Sequence, residues 1–103
     1  MRGEFRMITT KQRAQLRALA NSAETILQIG KGGITDMVVA QADGALEARE
    51  LIKGRVLDNA PMNAREAVTE LAEKTGADIV QVIGTRFSLY RARKKNPQII
   101  LVK

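Results

Sequence analysis

Apolar positions along the chain alternate between the 3–4 spacing of helices with one buried side and the short β-branched runs of strands. Leu16, Leu19 and Ala20 share one side of a first helix. Thr9 or Thr10 supplies its N-cap, Gln12 sits in the capping-box position, and the helix is expected to end near Asn21. Residues 26–29 read as a strand. A second stripe follows in Ile34, Met37, Val38, Gln41, Ala42, Ala45 and Leu46, capped by Thr35, with Asp36, Asp43, Glu47 and Glu50 off the stripe on a face expected to meet solvent. Residues 51–57 alternate, with Ile52, Gly54 and Val56 on one side and Lys53 and Arg55 on the other. Asn59-Ala60-Pro61 breaks the chain. A third helix over 63–75 buries Ala64, Ala67, Val68, Leu71 and Ala72, turns Glu66, Glu70 and Glu73 outward, and ends at Gly76. Residues 79–83 and 87–91 form a hairpin about Gly84-Thr85, and Ile99 to Val102 either add an edge strand or pack on the core. Two glycines interrupt the pattern. Gly44 inside a helix costs about 1 kcal/mol relative to alanine and suggests close packing, and Gly54 inside a strand suggests a bulge or a close backbone approach.

The order α-β-α-β-α-β-β contains two strand–helix–strand units, which require parallel right-handed crossovers, and a closing hairpin that adds an antiparallel strand. The expected fold class is therefore α/β of the two-layer α+β kind, a mixed sheet with helices packed against it. A chain of 103 residues supports one modest core. Residues 1–7, with a second methionine at Met7 and no periodicity, are expected to be a disordered tail or an expression remnant. The domain is expected over 8–98, with a C-terminal segment at 99–103.

Cysteine and histidine are both absent, which removes the commonest metal ligands and the usual general base at neutral pH. Enzymatic chemistry and a cofactor are not expected, since Asp36, the one acid beside the glycine loop described next, reads as a helix-cap partner. No apolar run reaches the ~20 residues that span a bilayer, so a cytoplasmic protein with no membrane partner is expected. The net charge of +6 is uneven: residues 1–20 hold five Lys/Arg and one acid, 21–83 hold six and ten, and 84–103 hold six and none. Basic ends around an acidic middle favour a polyanionic partner if the ends meet in space.

Gly30-Lys31-Gly32-Gly33 lies between a strand and a capped helix. Glycines let the backbone approach a ligand, and a helix start offers unpaired N–H groups with partial positive charge, a combination suited to phosphate. Taken alone, the stretch reads equally well as a tight connection with no ligand; the charge pattern tips the balance. The Walker A spacing is absent, and Thr35 stands where a dinucleotide fingerprint needs glycine. What remains is Gly-x-x-Gly, similar to the loop with which KH domains clamp a nucleic-acid backbone. Further candidate phosphate contacts are Lys11, Arg13 and Arg17 on the first helix, Lys53 and Arg55 on the second strand, Arg86 and Arg91 in the hairpin, and Arg93, Lys94 and Lys95 beyond it. Of the three aromatics, Phe5, Phe87 and Tyr90, the last two are expected in the core and not as base-stacking platforms.

The succession Thr10-Lys11-Gln12-Arg13, Leu16 to Asn21, Gln28-Ile29-Gly30-Lys31-Gly32-Gly33-Ile34-Thr35, Ala45 to Lys53, and Gly76 to Gly84 with Leu89-Tyr90-Arg91 resembles the YhbY family. These are stand-alone bacterial CRM (chloroplast RNA splicing and ribosome maturation) domains. The resemblance covers residues 8–98 and implies an RNA-binding module that associates with precursors of the large ribosomal subunit. It also implies a four-stranded mixed sheet similar to the C-terminal domain of a bacterial translation initiation factor, with Gly30 to Gly33 contacting RNA. Gly44 and Gly54 depart from the family pattern and put local stability in question. The protein is expected to act as a monomer. The alternative is a protein-interaction adaptor on ribosomal particles that docks through the acidic faces of the second and third helices.

Overall fold

The structure is a computed structural model that describes residues 8–94 and 96–102. The expected tail at 1–7 and the candidate cation Lys95 lie outside the described residues. The elements run α1 (Thr10–Ala20), β1 (Thr25–Ile29), α2 (Asp36–Arg49), β2 (Leu51–Val56), α3 (Ala64–Thr75), β3 (Asp78–Ile83) and β4 (Arg86–Tyr90). The four strands lie in the order β1-β2-β4-β3, with β1 parallel to β2 and both pairs involving β4 antiparallel. The mixed sheet expected from the element order is thus the one observed.

Local signals set the helix ends. Thr9 and Gln12 form a reciprocal capping box on α1, and Asn63 and Glu66 form another on α3, while the Thr35 hydroxyl accepts from the Val38 amide on α2. Each satisfies N–H groups that the first turn leaves without an intrahelical partner. Helix α3 stops at Gly76, whose φ of 73° is the left-handed value a glycine takes without penalty. Helix α2 stops instead at Glu50, with φ 68°.

Alternation along the strands divides the sheet into two faces. Leu27, Ile29, Ile52, Val56, Phe87 and Leu89 point to α2 and α3 and form the larger core with Ala42, Leu46, Ala67, Val68 and Leu71. On the opposite face, α1 covers one end only. Leu16 and Ala20 pack there with Leu51, Val80 and Tyr90, and Ile8, Ile99 and Leu101 close the cluster. Residues 99–102 therefore pack on the core and add no strand. The burial of Phe87 and Tyr90, 1% and 5% exposed, matches the expectation that they are core residues.

Gly54 has a packing cause. A Cβ there would stand 2.5 Å from Cζ of Phe87, which lies opposite it on β4. The strand gives up a side chain so that a phenyl ring can fill the space, and the departure from a β-branched residue is local compensation, not weakness. The bulges fall elsewhere, between Thr25 and Leu27 on β1 and between Ile79 and Gln81 on β3. At Gly44 close packing is not found: nothing lies within 4 Å of a Cβ built there.

The expectation that Glu50 faces solvent is also corrected, since it is 1% exposed. Its carboxylate accepts from the backbone N–H groups of Arg93 (3.1 Å), Gln98 (2.7 Å) and Ile99 (2.8 Å). Three amide donors stabilise a charge that burial would otherwise make very costly. The C-terminal segment is folded around this carboxylate.

Candidate nucleic-acid interface

The glycine loop leaves the end of β1 and turns sharply, the Gly33 amide donating to the Gly30 carbonyl at 2.9 Å. Lys31 and Gly32 form its exposed tip, and Gly33 is buried against Pro61 and Met62. The fold requires glycine only at the last position. Gly33 has φ 70° and a Cβ would meet Met62 Cε at 3.1 Å, whereas at Gly30 and Gly32 a Cβ meets nothing closer than 3.6 and 3.5 Å, ordinary contact distances. Neither Gly30 nor Gly32 has a positive φ. Two of the three glycines are thus dispensable for packing; Gly32 leaves bare backbone at the exposed tip and Gly30 stands half-buried beside it, as close approach of a ligand requires.

Three connections meet at this end of the sheet. The Leu57 amide donates to Ile29 beside the glycine loop, and the Val56 amide donates to Thr85 in the hairpin turn. Helices α2 and α3 both start here, so their partial positive charges point to the same end as Lys31. Ligands of α/β sheets commonly bind beyond the carboxyl ends of parallel strands.

The part of the sheet that α1 leaves uncovered carries the strand cations. Arg55 and Arg86 are directly opposite on β2 and β4, Lys53 is opposite Ser88 one step along the same face, and Gln28 is beside Arg55 on β1. Among the described residues, the side chains of Lys31, Lys53, Arg55 and Arg86 have neither an acidic partner nor a hydrogen bond. Nε of Arg55 is buried without any acceptor, an expensive state for a charged group.

The remaining predicted cations fall into two further sets. On α1, Lys11 and Arg17 are exposed, while Arg13 reaches across to donate to the Ile79 carbonyl. Arg91, Arg93 and Lys94 lie at the opposite end of the sheet from the glycine loop, separated by the length of β2, roughly 17 Å at ~3.3 Å per residue. Arg91 is occupied internally. Its guanidinium pairs with Asp43 at 2.6 Å and Glu47 at 3.4 Å and donates to the carbonyls of Thr75 and Asp43. The main-chain amides of Arg93 and Lys94 are held by Glu50 and Glu47. Apart from the buried Glu50, the α2 acids stay largely exposed as expected, but Asp43 and Glu47 are paired to Arg91.

Sequence reasoning did not single out Asn21, Gln81 or Ser88, which line a cleft of about 180 Å³ together with Lys53, Ile83, Arg86 and Phe87. Gln81 was legible as the one polar residue in the apolar run 79–83. The other two become neighbours only when α1 crosses the sheet. No helix among the described residues is long and apolar enough to cross a membrane, and no group of acids there could hold a metal ion.

The model of the CRS1/YhbY (CRM) domain matches residues 8–91. The chain is 41% identical to the Bacillus subtilis protein named probable RNA-binding protein YqeI, over 92% of this chain and 99% of that one. It is 32% identical to a Haemophilus influenzae protein named RNA-binding protein, over 82% and 85% of the two chains. The solution structure of the hypothetical protein SAV1595 from Staphylococcus aureus superposes with a TM-score of 0.69 at 43% identity, covering 93% of this chain and all of that one.

Proposed function

Since the chain belongs to the CRS1/YhbY (CRM) family, we propose that it binds RNA, with the glycine loop as a phosphate clamp and the uncovered sheet face as its continuation. The observation that carries this reading is the pairing of two glycines the fold does not need with four cations it does not neutralise. The names of the relatives support the same partner. Phosphate oxygens would accept from the amides of the loop and from Lys31, while Lys53, Arg55 and Arg86 extend the contact along the sheet, with Lys11 and Arg17 at its margin. Arg91 has no part in this footprint, because its donors are already used within the fold.

The test is the salt dependence of binding. Lys31→Ala is expected to weaken binding to every RNA tried and to reduce the slope of log K against log salt by about 0.7 to 0.9. An unchanged affinity and slope would remove the loop from the interface.

Within this reading, the partner is a ribosomal RNA precursor of the large subunit, the protein binds it as a monomer in the cytoplasm, and its role is to assist assembly without catalysis. The family resemblance supports that finer statement. Co-sedimentation of the protein with large-subunit precursor particles, abolished by nuclease treatment, is the expected result. Retention after nuclease treatment would instead favour docking on ribosomal proteins through the exposed acids of α3.

A further inference from the structure

The cleft between the end of α1 and the open sheet face has a composition that phosphate binding alone does not explain. Its apolar part is Ile83, which is 65% exposed, since the Phe87 ring points to the other side of the sheet. Asn21 and Gln81 bring two amides to its walls, and Ser88 brings a hydroxyl. An amide offers both donors and an acceptor, the pattern needed to address the edge of a nucleobase. Lys53 and Arg86 stand at the same cleft, placed for the phosphates on either side of such a base. None of the Asn21, Lys53, Gln81 and Arg86 side chains has a hydrogen-bond partner among the described residues, so their polar groups serve no bond of the fold.

The bulge on β3 builds this arrangement. Ile79 pairs with Leu89 and Gln81 with Ser88, leaving Val80 as the extra residue. Val80 is buried under α1 while the adjacent Gln81 lines the cleft, so two consecutive residues address one side of the sheet. Without the bulge, strict alternation would turn Gln81 to the opposite face. At about 180 Å³ the cleft is smaller than the ~300 Å³ at which pockets for drug-sized ligands begin. It suits one ring system with its backbone outside.

Resting on the RNA reading above, we propose that this cleft is a nucleotide subsite that receives one unstacked RNA base against Ile83, with Asn21, Gln81 and Ser88 at the base edge. Single-stranded segments and bulges present such bases, whereas a continuous duplex does not. The interface therefore has two parts, a loop indifferent to sequence and a cleft that selects.

Binding of the full protein to short oligo(U), oligo(A) and oligo(C) and to a blunt RNA duplex tests this. Wild type is expected to prefer one homopolymer over the weakest by on the order of tenfold, as a base-edge contact provides. Gln81→Met, which keeps the side chain's length and removes its amide, and Asn21→Ala, at an exposed position, are each expected to bring that ratio to within about threefold with the salt slope unchanged. Equal affinity of wild type for all homopolymers, or a preference that survives both substitutions, overturns the subsite while Lys31-dependent RNA binding stands. Failure of wild type to bind any of the RNAs overturns both readings together.

Discussion

Arg55 and Arg86 face each other across the antiparallel β2–β4 pair on the uncovered side of the sheet, and among the described residues no acid pairs with either. Like charges directly opposite are destabilising, by roughly 0.2–1 kcal/mol. Replacing Arg86 by Gln is therefore expected to raise the melting temperature at low salt while weakening RNA binding and lowering its salt slope. Melts and binding isotherms on the same preparation check the opposition; a variant less stable than wild type would mean that the pair is a structural device.

The glycines separate packing from ligand approach. Gly30→Ala and Gly32→Ala are expected to melt within a few tenths of a kcal/mol of wild type and to bind RNA less tightly, because the added methyl stands where phosphate must come close. Gly33→Ala is expected to cost about 1–2 kcal/mol from its left-handed backbone. Gly54→Ala is expected to cost about 1–3 kcal/mol, since Phe87 fills the space of the new methyl. Denaturant titrations of the four variants rank them.

Gly44 provides the opposite sign. It is exposed in the interior of α2 with open space around it, so Gly44→Ala is expected to stabilise the protein by about 0.5–1 kcal/mol through the helix alone. No gain in the denaturation midpoint would indicate that α2 is distorted at this point.

Glu50 combines a strained backbone with a buried charge. Glu50→Ala leaves the Arg93, Gln98 and Ile99 amides without their acceptor, at an expected loss on the order of 3 kcal/mol. Glu50→Gly loses the same acceptor but relieves the positive φ, so it should be the milder of the two by about 1 kcal/mol. Hydrogen exchange at those three amides is expected to accelerate in both variants and reports the release of the segment directly.

Tyr90 has a pKa raised from its ordinary value of 10.0, first by burial and then by the charges of Glu50 and Asp78. Below pH 10 the phenol is protonated in both the folded and the unfolded chain and stability does not depend on it. As the pH rises above 10 the unfolded chain ionises first and takes up the advantage, so stability falls until the folded state's higher pKa is passed. Tyr90→Phe is expected to flatten that part of the stability profile; an identical alkaline limb would assign the loss to other groups.

Much of the fold was legible because its local signals agree with one another. Thr9 with Gln12 and Asn63 with Glu66 are capping boxes in sequence and in structure, and the stripe of α3 faces the sheet as its spacing requires, whereas in the α2 stripe Met37, 74% exposed, and Gln41 turn to solvent. What escaped was long-range. The donors to Glu50 lie 43 to 49 positions away, and no periodicity reveals them, although the absence of a glycine where α2 turns into β2 marks a position at which a side chain is worth backbone strain. The same distance hid the fate of Arg91, whose basic neighbourhood in sequence suggests a surface cation and whose acidic neighbourhood in space makes it a clamp. The glycine loop was readable as an exposed turn beside a helix start. The sorting of its glycines into one that the turn needs and two that it does not depended on the positions of Pro61, Met62 and Leu57.

The smaller core cluster brings Ile8 together with Ile99 and Leu101, so the first and last parts of the described chain lie on one patch. A short tether between them, with new ends opened at the exposed Gly84-Thr85 turn, should yield a circularly permuted protein that keeps the same tertiary arrangement. Such a rearranged chain would carry an attached label at the hairpin, beside the glycine loop and away from the clamped C-terminal segment.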